Sequence, residues 1–279
     1  MARIRVITDS ACDVPEEIAR RLNIDVVSLS IRFGDEEFID RVDLSPSEFW
    51  AKCKASKTLP ETAAPSPGAF QAAYERAKND GCDGVIVITL SALLSATHQS
   101  AVLGAEAVKD SIEVRVVDSK AVSMAQGLMV IDVAELADTG ATLDELVNDA
   151  ESLVAKVGVV AMLDTLEHLI KGGRVGGARA LLGQVLSIKP LLELKDGVVA
   201  EAGRQRTRAK ALVAIAEVTK AHAPLKRLAL VHGASSEVAA LEALVADVAT
   251  QKPIIVTDIG PVVGTHGGPG IIGLCWMEA

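Results

Sequence analysis

The sequence predicts an α/β protein of two domains. Residues 1–156 read as an N-terminal domain with a mostly parallel sheet flanked by helices, and residues 157–279 as a C-terminal domain with a mixed sheet. Three observations predict this. Short runs rich in β-branched residues alternate with helical stretches through the first half, the pattern of strands joined by crossover helices. In the second half an Asp-Gly pair separates two apolar runs, which signals an antiparallel hairpin. The chain also has 279 residues, 49% of them hydrophobic, enough for two modest cores without disulfide or metal staples.

The elements follow in order. Ile4 to Thr8, Asp25 to Ser30, Gly84 to Leu90 and Glu113 to Asp118 read as strands. Helix starts are marked by capping boxes at Ser45-Pro-Ser-Glu48 and Thr142-Leu-Asp-Glu145, and by Ser66-Pro67, a hydroxyl cap before a first-turn proline. A long helical stretch is expected from Ser123 to about Lys156. Beyond it, Val157 to Met162 reads as a strand, Asp164 to Lys171 as a helix, and Ser187 to Leu194 as a strand paired with Val198 to Ala202 across Lys195-Asp-Gly197. A helix from about Arg206 to His222, the strand Arg227 to His232, a helix from Glu237 to Thr250, and strands at Pro253 to Ile259 and Ile271 to Met277 complete the chain.

Composition excludes several classes of function. A net charge of −9 gives no basic footprint for nucleic acid or for a stable hold on anionic membranes. Aromatic residues are only 3%, so base stacking is not expected and any pocket would have aliphatic walls. Cys12, Cys53, Cys82 and Cys275 are far apart and have no ligand spacing, which reads as four reduced thiols. No leader pattern opens the chain and no apolar run has transmembrane length, so a soluble, cytoplasmic protein without membrane insertion is expected. The sequence calls for no cofactor. It lacks the nucleophile elbow, zinc-protease, Walker and dinucleotide-binding motifs.

The candidate site residues lie where strands give way to helices. Gly260 to Gly270 sets Thr265 and His266 among five glycines and two prolines, which reads as a loop shaped for close contact or as a tight connection before the last strand. A neutral imidazole at His266 can donate to a carboxylate. Ser95 reads as the N-cap of the helix after the Gly84 strand, so Ser95, Thr97 and the amides near Ala96 are candidates to hold an anion. Thr62, in a loop before the Ser66 cap, is expected to reach the same point. For each hydroxyl, a cap or turn is the competing role. Arg174 follows a Gly-Gly pair, and Arg204 with Arg206 stands at a helix start, where positive charge implies a nearby anion or acidic partner surface, with ordinary solvated arginine as the alternative. Asp9, Ser10 and His266 formally complete a hydrolase set.

Taken together, Ile7-Thr-Asp-Ser-Ala-Cys-Asp-Val-Pro15, Glu61 to Gly68, Thr89 to Ala101, Val117 to Lys120, Ser123 to Leu128, Leu163 to Arg174, Ile188-Lys-Pro190, Arg204 to Thr207 and the Gly260 segment resemble the DegV family of bacterial fatty-acid-binding proteins. The resemblance spans nearly the whole chain. It implies a carrier, not an enzyme, that encloses a long-chain fatty acid near the domain junction and presents its carboxylate to a separate fatty acid kinase subunit. It also implies that Thr62, Ser95, Ala96, Thr97, Thr265 and His266 contact the ligand, and that Arg174, Arg204 and Arg206 serve phosphotransfer or face the partner. Two departures stand out. Ala96 replaces the family's glycine, and Ala63-Ala64 replaces its Ser-Gln. The competing readings are a stand-alone hydrolase or transferase acting on a small carboxylate, and a lipid-responsive regulatory module.

Overall fold

A computed structural model of the chain describes residues 2–181 and 188–279. The first half runs β1 (Ile4–Asp9), α1 (Glu16–Arg21), β2 (Asp25–Val27), β3 (Ser30–Phe33), β4 (Glu36–Ile39), α2 (Pro46–Ala55), β5 (Glu61–Ala63), α3 (Pro67–Asn79), β6 (Gly84–Thr89), α4 (Thr97–Val108), β7 (Glu113–Asp118), α5 (Met124–Ala137) and α6 (Leu143–Leu153). Four strands form a wholly parallel sheet in the order β2-β1-β6-β7. Every residue of β6 is buried, as a central parallel strand covered on both faces requires. A separate antiparallel sheet, β4-β3-β5, pairs Ile31 with both Phe38 and Thr62.

The second half runs β8 (Val157–Met162), α7 (Glu167–Lys171), β9 (Lys189–Lys195), β10 (Val198–Gln205), α8 (Arg208–Lys220), β11 (Leu225–His232), α9 (Val238–Val245), β12 (Ile255–Asp258), α10 (Pro261–Gly267) and β13 (Ile272–Glu278). Its sheet has the order β10-β9-β8-β13-β11-β12, antiparallel except between β11 and β12. The chain is therefore an α/β protein of the predicted class, with a parallel sheet in the first half, a mixed sheet in the second and the small β4-β3-β5 sheet beside them. α8 and α9 cover one face of the mixed sheet through Leu212, Ile215, Leu241 and Val245. The other face meets α5, which also packs on β1 and β6. From Met124 to Ala134 every residue of α5 is buried, the signature of a helix enclosed on all sides.

Several expectations about elements are corrected. The strand expected over Asp25 to Ser30 ends at Val27, and Ser30 opens β3. Thr62 lies in β5 rather than in a loop, because β3 supplies hydrogen-bonding partners that no local pattern announces. The stretch from Ser123 to Lys156 is two helices, since Gly140 turns at φ +87° and Thr142 caps a new start. Arg204 belongs to β10, and the next helix is capped by Thr207, so neither Arg204 nor Arg206 stands inside it. The Gly260 segment is mostly helix. Pro261 suits its first turn, and glycine at 264 lets it approach α2, where an added Cβ would lie 2.8 Å from Phe49 and 2.9 Å from Trp50. The expected strand start at Ser187 falls outside the described residues. The hairpin is a tight turn of the expected kind, with Asp196 and Gly197 at φ +51° and +82°.

Candidate functional site

Where the two halves meet lies a cavity with about 910 Å³ of atom-free space, part of it open to solvent. Its walls are aliphatic. Leu29, Leu90 and Val122 come from the first half, with Val159, Leu192, Val262 and others from the second, and among the described residues no Phe, Trp or Tyr lines it. Among the described residues the polar side chains on the lining are Thr62, Ser95, Ser123, Arg174, Glu193 and His266.

Four of these are linked into one cluster. Thr62 Oγ1 lies 3.0 Å from His266 Nε2, a contact across 204 residues of sequence. Arg174 donates through Nε to the carbonyl of Leu94 (3.0 Å) and through Nη1 to that of Gly172. Leu94 precedes Ser95, whose Oγ is 2.9 Å from Thr97 Oγ1. Gly172 has no side chain because His266 fills that space: a Cβ there would be 2.3 Å from Nδ1. Two bonds leave most of the Arg174 fork over for an anion.

Burial, with the nearby Arg174 guanidinium and His168 ring adding to it, pushes His266 down to about 4, so its imidazole is neutral at physiological pH. Its Nδ1 is buried without a hydrogen-bond partner. With the proton on Nε2, the imidazole donates to Thr62 Oγ1. The threonine's own proton is then free to be given elsewhere.

The remaining candidates are placed differently. Ser95 is not the N-cap of α4. Ala96 takes that position without a side-chain bond, and the Ser95 Oγ accepts from the Thr97 amide at 3.3 Å. Thr97 is fully buried beneath Ser95, while Ala96 is exposed and neither lines the cavity. Thr265 turns away: its hydroxyl donates to the Pro261 carbonyl (2.8 Å), and its own carbonyl lies 2.9 Å from His168 Nδ1. Arg204 and Arg206 are exposed and outside the lining, Arg204 pairing with Glu201 at 3.5 Å. The formal Asp9-Ser10-His266 set does not assemble. Asp9 is occupied by the amides of Leu90 and Ala11 and by Gln126, Ser10 Oγ accepts from the Leu29 amide, and His266 Nε2 meets Thr62.

Sequence reasoning missed two contributors. His168 anchors α10 through the Thr265 carbonyl, yet in the sequence it is one histidine of an ordinary helical pattern. Ser123 lines the cavity and is bonded to the buried Asp13. Arg174, named from the sequence for phosphotransfer or the partner, lines the cavity. A signal did exist for Asp13, the second acid of Asp9-Ser-Ala-Cys-Asp13 directly after a strand.

The profile of a family described as "Uncharacterised protein, DegV family" matches residues 3–279. A DegV domain-containing protein of Listeria monocytogenes is 33% identical over 98% of both chains. Among solved structures, a DegV family protein from Thermus thermophilus, described for its fatty acid binding, superposes with a TM-score of 0.91 at 34% identity, covering 99% of this chain and 100% of its own. DegV of Bacillus subtilis, described as a fatty acid binding protein, gives 0.89 at 31% identity with 100% of both chains covered. With its whole length matched in sequence and in fold, the chain belongs to the DegV family.

Proposed function

We propose that this protein binds a long-chain fatty acid in the cavity between its two domains, divided near residue 156, and presents the carboxylate to a separate kinase for acyl-phosphate formation. The observation that carries the reading is an aliphatic cavity whose hydroxyls, imidazole and guanidinium are linked into one cluster. About fifteen methylenes at ~0.8 kcal/mol each contribute on the order of 12 kcal/mol before the cost of association. The walls thus supply the affinity, and the cluster sets orientation. Thr62 and Ser95 donate to the carboxylate, His266 orients Thr62, and Arg174 supplies charge. Arg204 and Arg206, exposed beyond the cavity, are assigned to the kinase-facing surface. The fatty-acid binding described for the Thermus and Bacillus relatives supports the ligand class.

Solvent extraction of the purified protein followed by mass spectrometry tests the ligand. Near-stoichiometric fatty acid is expected. Protein that yields none and also fails to take up added oleate would refute the reading, and an extracted nucleotide or sugar would point to a stand-alone enzyme. For the kinase step, acyl-phosphate is expected only when carrier, kinase and ATP are combined. Product made by the carrier alone would overturn it.

A further inference from the structure

Asp13 is fully buried, and its carboxylate gathers donors from three distant segments. Oδ1 accepts from the Gly260 amide (2.8 Å) and from Arg41 Nη2 (2.9 Å), and Oδ2 accepts from Ser123 Oγ (2.6 Å). Asp13 itself is not part of the cavity lining, but two of the segments it holds are. Val122 and Ser123 contribute to the wall from the first half; Ile259, Val262, Val263 and His266, flanking Gly260, contribute from the second.

The backbone around this carboxylate is held where side chains are disfavoured. Among the described residues seven other than glycine have positive φ, and three of these meet here: Asp13 at +54°, Arg41 at +61° and Ser123 at +55°. With ψ at −148°, Ser123 lies close to a region nearly reserved for glycine. Such a conformation persists only where its surroundings over-determine it, and it concentrates at binding sites. Here Ser123 is fixed by its amide donating to the Ala11 carbonyl (2.8 Å) and by its hydroxyl donating to Asp13. Gly260 fits as closely: an added Cβ would lie 2.9 Å from both Asp13 Oδ1 and Arg41 Nη2.

We propose that Asp13 is a positioning residue for the ligand site, setting the Ser123 wall and the start of α10 against each other and so fixing where His266 meets the headgroup. This inference rests on the fatty-acid reading above. Three variants test it. Ser123→Gly removes the hydroxyl bond but suits the backbone, so its melting midpoint should stay within ~3 °C of the parent. Its oleate affinity should nevertheless fall about tenfold, the scale of one hydrogen bond to a charged group. Asp13→Asn keeps an acceptor for Gly260 and Arg41 and offers Ser123 an N–H, so it should retain affinity within about threefold, whereas Asp13→Ala should lose tenfold or more.

The imidazole nitrogens of His266, followed by NMR in the ligand-free proteins and assigned with His266→Gln, should move in Ser123→Gly and Asp13→Ala and stay in place in Asp13→Asn. A purely structural role would shift melting midpoints and leave these resonances still. Parental oleate affinity in Ser123→Gly, or unmoved imidazole signals in Asp13→Ala, would overturn the proposal. A parent chain that binds no fatty acid would defeat the cavity reading alone, and the ligand-free spectra would still decide the role of Asp13.

Discussion

Two polar clusters join the halves of the chain, and they are built on opposite terms. On one side, Asp132 and Glu135 of α5 meet Lys226, Arg227 and Lys252, with Arg227 reaching Asp132 at 3.1 Å and Glu135 at 2.7 Å. Arg227 is 4% exposed and Asp132 6%, so this pair is nearly dry, ringed by the partly exposed Lys226, Glu135 and Lys252. On the other side, Thr62 and His266 share one bond between neutral groups, and the His266 Nδ1 has no partner. The difference is instructive. Buried charge that is fully paired holds a junction in place, whereas polar groups left with unused hydrogen-bonding capacity beside an apolar cavity can still engage something else.

The strongest way to break this contrast is Asp132→Ala. Leaving Arg227 buried beside fewer counter-charges should cost about 3–5 kcal/mol of stability, read from urea unfolding. Below the transition its bound lipid should be unchanged. A loss of lipid with little loss of stability would mean that the ion pairs, too, belong to the binding site.

Asp40 sharpens the comparison, because it is fully buried, its carboxyl has little beyond the neighbouring Ser10 hydroxyl to bond with, and it does not line the cavity. Burial pushes its carboxyl up to about 7. An acid whose folded value is raised destabilises the fold progressively as pH climbs from its unfolded value towards the folded one, because the unfolded chain releases its proton first. Asp40→Asn should therefore add about 2–4 kcal/mol at pH 8 and little at pH 4. A variant equally stable to the parent at both pH values would show that Asp40 is solvated.

At the Thr62–His266 pair, Thr62→Val should lower fatty-acid affinity roughly ten- to hundredfold, corresponding to about 1.5–3 kcal/mol, with unfolding nearly unaltered. Isothermal titration with oleate reads the first and urea unfolding the second. The smallest effect is expected of His266→Gln on acid stability. Because burial holds this imidazole at about 4, the parent loses stability as pH falls through the unfolded histidine value, where only the unfolded chain takes up the proton. The variant should lack that loss, a difference of about 1–2 kcal/mol by pH 5. Parallel acid limbs for the two proteins would place the imidazole in water.

The framework was legible where local chemistry alone decides. The capping boxes at Ser45 and Thr142 and the cap at Ser66 form as read, as does the turn at Asp196-Gly197. Less was legible where a distant segment supplies the reason for a conformation. Glu61-Thr-Ala63 has no apolar run and becomes a strand because β3 lies beside it. Gly260 to Gly270 looks like a loop by glycine count, yet most of it becomes helical where Phe49 and Trp50 leave room for little else. The same limit applies to the site. Thr62, Ser95 and His266 could be named as polar residues at strand ends, and the structure brings all three to one cavity. Thr265 could not be separated from His266, since only the helical phase of α10 turns one hydroxyl inward to Pro261 and the next side chain towards Thr62.

The close seat of α10 on Trp50 has a spectroscopic consequence. Trp50 is 9% exposed and lies against Gly264, two positions before the imidazole on the same short helix. Its indole emission is therefore sensitive to small displacements of that helix. The chain's other indole, Trp276, is outside the cavity lining and stacks on His222 with ring centroids 4.5 Å apart. An unlabelled sample thus carries a gauge beside the site, and replacing Trp276 with Phe would leave Trp50 as the single indole through which loading is followed.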